Sequence, residues 1–199
     1  MADNKRGREK QADDADRRQR ERAIRTAIER ADEPEPPVDS SELAELERAL
    51  DDVAFPATGV EVVAAVGERE VRTGADTYAV AALVPETDVE TFDSPTAVRE
   101  RVQRPTVAGA MKRVAEAAAT LPDPEFPESQ RDGYQRTFAA LADVDAADDD
   151  EPIGVIADWI VERIHEKEAL PGSRDVRREA AKHCRKRGYP VRDDEWLGV

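Results

Sequence analysis

The sequence predicts a mainly α-helical protein: one or more small helical bundles, with a short irregular or β-like segment near residues 68–77. Two observations carry that prediction. Apolar residues recur at helical spacing in block after block, and most blocks open on a capping hydroxyl or carboxylate, or on a first-turn proline. Ahead of the blocks, residues 5–31 form a charged arm with one weak apolar stripe, Ile24, Ala27, Ile28 and Ala31, and read as helical or disordered and mobile. Glu33-Pro34-Glu35-Pro36-Pro37 then reads as a stiff acidic linker, since proline favours extended backbone.

The folded part is expected from Asp39. Leu43, Leu46, Leu50 and Val53 share one helix face, and Asp39 with Glu42 has the spacing of a capping box. Phe55-Pro56-Ala57-Thr58 stops that helix; Thr58 and Glu61 open a second, carrying Val62, Val63 and Val66 and ending at Gly67. Glu70 to Gly74 reads either as a short strand and turn or as a loop, and Tyr78 to Val84 as a helix stopped by Pro85. Ser94-Pro95 is a strong start signal, a capping hydroxyl with proline at the first helical position, and Val98 and Val102 continue that face to Arg104.

Pro105 begins a long amphipathic helix through Val107, Ala110, Met111, Val114, Ala118 and Leu121. After the proline-broken stretch to Phe126, Tyr134, Phe138 and Leu141 form another helical face. The run Asp148 to Glu151 is an acidic helix start favoured by the helix dipole. Behind it, Ile153, Ile156, Trp159, Ile160 and Ile164 make the most apolar helix, expected at the centre of a core. Leu170-Pro171-Gly172-Ser173 is a turn, Ser173 is the expected cap of a last helix to Arg187, and Gly188 its C-terminal stop. The tail from Tyr189 to Trp196-Leu197 is expected to fold back over the bundle. Three regions follow: residues 1–38, arm and linker; 39–121, a helical domain; and 122–199, a helical region packing with it and ending in a basic helix and aromatic tail.

Charge is distributed unevenly along the chain. Residues 1–31 carry a net +3, residues 32–171 a net −21 and residues 172–199 a net +3, giving −15 overall. Leu, Ile, Val and Phe make up 38 of 199 residues, which with that charge borders on the disordered class. Periodic, capped blocks argue instead for a surface adapted to concentrated salt, with a halophilic archaeon as natural host. At ~1 M salt the Debye length is only ~3 Å, so the acidic body would repel nucleic acid little at long range. A single cysteine, Cys184, allows no intrachain disulfide and fits a reducing cytoplasm. Lys5 to Lys10 leads into no apolar run, and no apolar stretch approaches the ~20 residues of a membrane span, so a soluble, cytoplasmic protein is expected with no membrane partner.

No Walker, dinucleotide or Gly-x-Ser-x-Gly loop occurs, and carboxylate pairs are too common in so acidic a chain to be informative. His165, His183 and Cys184 are too few for a structural zinc, and no calcium loop is spelled out. No catalytic residue, metal, cofactor or small-molecule ligand is therefore expected. Cys184 reads as a small buried residue, and His165 as interfacial.

The working surface is expected on the last helix. At ~100° per residue, Arg174, Arg177, Arg178, Lys182 and Arg185 fall within an arc of roughly 140°. Val176, Ala180 and Cys184 fill the adjacent arc, with Asp175 and Glu179 expected opposite the basic face. Together with the preceding helix and the Pro-Gly turn this makes a helix-turn-helix outline whose second helix offers cations to phosphate, of DNA or RNA. A plainer reading is a solvated helix whose cations answer its own negative C-terminal end and the acidic body. A further alternative is a protein-interaction or self-association module working through the arm or the tail.

Phe55-Pro56-Ala57-Thr58, Leu83-Val84-Pro85 and Phe92-Asp93-Ser94-Pro95 with Val98 also form a pattern. On those residues the stretch from about Leu46 to Val102 resembles a domain of unknown function widespread in halophilic archaea. The opening Lys5-Arg6-Gly7-Arg8-Glu9-Lys10-Gln11-Ala12 looks like the start of such proteins. The resemblance implies a small helical module and no activity, departs from the family around Glu68–Thr77, and carries over no catalytic residue.

Overall fold

The computed structural model describes residues 37–74, 76–144 and 151–189. The arm of residues 5–31, the linker up to Pro36, the acidic run Asp148–Asp150 and the tail from Pro190 to Leu197 lie outside those residues. The element order among the described residues is α1 (Ser40–Ala49), β1 (Ala57–Thr58), α2 (Gly59–Val66), β2 (Glu70–Arg72), β3 (Thr77–Ala79), β4 (Thr91–Phe92), α3 (Pro95–Val102), α4 (Pro105–Ala118), α5 (Glu128–Ala142), α6 (Glu151–Lys167) and α7 (Ser173–Arg187). The protein is thus mainly helical, as its periodicity predicts.

Asp39 caps α1 as expected, but through Ser41: its Oδ1 accepts from the Ser41 amide at 2.7 Å and from the Ser41 hydroxyl at 2.6 Å. The box with Glu42 does not form. The Glu42 carboxylate accepts instead from the Arg72 amide at 2.6 Å and pairs with Arg72 Nε at 3.0 Å, tying α1 to β2. The second box does form: Thr58 Oγ1 accepts from the Glu61 amide at 3.4 Å and Glu61 from the Thr58 amide at 2.8 Å. Ser94 caps α3 by accepting from the Ala97 amide at 3.2 Å, with Pro95 in the first turn.

Residues 68–77 follow the strand-and-turn reading. β2 pairs antiparallel with β3, placing Val71 opposite Tyr78. The helix expected over Tyr78–Val84 is corrected: Thr77–Ala79 is strand, and only Val80–Ala82 makes a 3-10 turn. The amides of Val80 and Ala81 are claimed by the carbonyls of Arg69 at 2.8 Å and Gly67 at 2.9 Å, contacts that local periodicity does not report. The antiparallel pairing of β1 with β4 is likewise non-local.

Two apolar cores result. The first gathers Leu43, Leu46 and Leu50 of α1 with Val62, Leu83, Phe92, Val98 and Val102, and takes Ala108 from α4. The second gathers Met111 and Val114 of α4 with Tyr134, Phe138 and Leu141 of α5, the isoleucines of α6, and Val176, Ala180 and Cys184 of α7. Helix α4 therefore serves both.

A buried charge joins the same halves. Glu90, just before β4, is 1 % exposed and receives the guanidinium of Arg101 from α3, itself 6 % exposed. Arg131 of α5 approaches the same carboxylate at 3.8 Å, and the Glu90 carbonyl accepts the amide of Gly59 at 3.0 Å. One residue thereby holds the start of α2, α3 and α5.

Candidate nucleic-acid interface

Helices α5, α6 and α7 pack against one another pairwise, and α4 closes the other side of α6. The turn into α7 is fastened to α5: the Tyr134 hydroxyl and Gln130 Nε2 both donate to the Pro171 carbonyl. Burial and the carboxylate of Asp175 raise the Tyr134 phenol, which stays protonated as the donor there. Ser173 is not the cap. Gly172 holds that position without a side-chain bond, and Ser173 is the first helical residue. Its Cβ lies where α5 comes close, 2.6 Å from where a Cβ on Gly133 would stand, so glycine at 133 permits the α5–α7 approach.

Gly188 ends α7 as expected, in the left-handed conformation at φ 77° that favours glycine. Beyond it the Tyr189 amide donates to the Cys184 carbonyl at 2.9 Å, while the Tyr189 hydroxyl and Arg187 both reach Glu151 at the start of α6. Both ends of α7 are therefore anchored, and Val176, Ala180, Ala181 and Cys184 bury its inner face.

Of the five cations singled out, Arg174, Arg178, Lys182 and Arg185 stand exposed together on the outer face. Arg177 departs from them: it is half-buried, and its Nε is enclosed without a hydrogen-bond partner. Asp175 and Glu179 are not opposite the basic face but beside it: Arg178 pairs with Asp175 at 3.1 Å and Lys182 with Glu179 at 3.0 Å, all within α7. Exposed pairs of this kind are worth only ~0–1 kcal/mol. Among the described residues no carboxylate pairs with Arg174 or Arg185. Lys186 is exposed as well, a cation the sequence reading left out.

Trp159 is half-buried rather than central, with the Arg163 guanidinium 5.4 Å from its ring centroid. It lines a groove of about 450 Å³ between the end of α6 and the start of α7, opposite Arg178 and Glu179. No pattern in the sequence marks this groove, because its walls meet only through the α6–α7 turn.

Cys184 is buried, and burial raises its thiol rather than the neighbouring arginines lowering it. His165 is exposed on α6, not interfacial, and His183 is half-buried 6.4 Å from the Tyr189 ring. Among the described residues no group of three or more His, Cys, Asp or Glu is arranged to hold a metal, and no helix is long and apolar enough to cross a membrane.

Residues 40–114 match a family model described as a family of unknown function (DUF5789). No curated protein and no solved structure matches the chain. The matched segment begins with α1 and ends inside α4, so it spans the first core and lends one helix to the second. This segment is therefore similar to an uncharacterised domain family, over wider bounds than the Leu46–Val102 pattern, and the basic helix α7 lies beyond it.

Proposed function

We propose that this protein is a non-catalytic nucleic-acid-associating module, working in the cytoplasm of a halophilic archaeon, and that α7 is its phosphate-contacting element. The observation that carries the reading is the segregation of Arg174, Arg178, Lys182 and Arg185 on the outer face of a helix anchored at both ends by α5 and α6. A row of cations on the last helix of the four-helix α4–α7 unit suits a phosphate backbone. The helix offers no Asn or Gln, the side chains that read adenine bidentately. Its acidic body suits a high-salt cytoplasm, where carboxylates hold water at the surface.

The test is a binding titration against duplex DNA and RNA over a range of KCl. Wild type should lose affinity steadily as salt rises. The triple variant R174E/R178E/R185E should bind weakly and flatten the slope of log K against log salt by about 3, roughly 1 for each lost contact. Unchanged binding in the variant, or no binding by wild type at any salt, rejects the proposal. Arg177 is left unmutated because its half-buried side chain would confuse folding with binding.

A further inference from the structure

We infer that the groove between α6 and α7 is a stacking site for an unpaired nucleobase, so that single-stranded nucleic acid is the preferred ligand. The inference rests on the nucleic-acid reading above and narrows it. Four features lead to it. The groove encloses about 450 Å³, within the ~300–1,000 Å³ range of small-ligand sites. One wall presents Trp159, an aromatic side chain left partly accessible on a helix whose isoleucines are buried. Arg163 and Lys167 line the groove from α6 and Arg178 from α7, so three cations share it with the carboxylates of Asp175 and Glu179. Arg178 also belongs to the outer basic row, which makes the groove continuous with the proposed phosphate-contacting face.

These parts match what single strands offer. A base stacks on an indole whatever its identity, and cations beside the ring take the flanking phosphates. A base inside a duplex has both faces covered by its neighbours and cannot enter. The Arg163 guanidinium lies 5.4 Å from the Trp159 centroid, so a base stacking on that face takes over a surface that already receives a cation. The competing ion pairs, Arg163 with Glu166 at 3.2 Å and Arg178 with Asp175 at 3.1 Å, are both exposed and cheaply opened.

The experiment uses the full chain carrying W196F, which leaves Trp159 as the only tryptophan of the two. It is titrated with an oligodeoxycytidine of about 12 nucleotides, with an abasic strand of equal length, and with a duplex. Trp159 fluorescence should be quenched to saturation by the oligonucleotide and not by the abasic strand. W159L should lose about tenfold in single-strand affinity with duplex affinity unchanged, and W159F should restore most of it. Single-strand binding without quenching, or equal losses on single strand and duplex in both W159L and W159F, overturns the groove inference while the phosphate-contacting role of α7 stands. Absence of binding to every nucleic acid at every salt overturns both. Saturable quenching by an acidic peptide but not by the oligonucleotide overturns the inference in favour of a protein partner.

Discussion

Glu90 is the residue on which most of the fold converges. Its carboxylate is nearly inaccessible and is satisfied by Arg101 from α3, with Arg131 of α5 close by. Burial pushes the Arg101 guanidinium down from its ordinary pKa, an effect the Glu90 charge opposes and the Arg131 charge reinforces. Two buried ions in this state stabilise little as a pair, yet removing one strands the other. E90A should therefore cost about 3–5 kcal/mol in denaturant unfolding, since it leaves Arg101 charged and unpaired under Phe92. The double variant E90L/R101L should cost less than the single change, because apolar residues of similar bulk carry no desolvation debt. A double variant worse than E90A would mean that Glu90 and Arg101 act separately. Nothing in the sequence marks this pair: Glu90 is one of 45 acidic residues, and only burial distinguishes it. Glu42 teaches the same lesson, because its capping position is genuine by spacing and Arg72, thirty residues on, takes its carboxylate.

Among the elements, α4 decides whether the two cores behave as one. Ala108 joins the first core, and Met111, Val114, Ala115 and Ala118 join the second, so a single helix contributes to both. M111A should leave a cavity and cost about 2–5 kcal/mol. The loss should appear as one cooperative transition with coincident far-UV and near-UV signals. Two separated transitions would show that the segment holding the first core melts independently of α5–α7. The amphipathic pattern of α4 was fully legible, since its apolar residues repeat over four turns; so were α3, α5 and α6, and the capped start of α2. Strands of two or three residues have no period to read. Tyr78–Val84 looks helical in isolation because the carbonyls that claim its amides belong to Arg69 and Gly67. The α7 face was legible for the same reason as α4, and Arg177 was the exception because, at ~100° per residue, it falls about 20° from buried Cys184, at the edge of the inner face. The Trp159 groove was not legible at all, being made by two helices meeting rather than by either one.

At the scale of the whole molecule, the charge pattern predicts opposite salt dependences for stability and for the proposed phosphate contacts. Residues 32–171 carry −21, whereas α7 carries seven Lys or Arg against two Asp or Glu. Folding crowds the carboxylates onto one body, and their mutual repulsion weakens as the screening length falls from ~10 Å at ~0.1 M salt to ~3 Å at ~1 M. The melting temperature should therefore climb with KCl and level off once that length is shorter than typical carboxylate spacings. Phosphate contacts respond the other way, since each one releases condensed counterions from the nucleic acid and so weakens as salt rises. Measured on one sample series, stability should rise and affinity fall across the same KCl range. The triple variant R174E/R178E/R185E should lose the second trend and keep the first, with a steeper rise because it adds negative charge. A melting temperature indifferent to salt would remove the case for carboxylate repulsion, and affinity that rises with salt would mean that α7 does not meet phosphate.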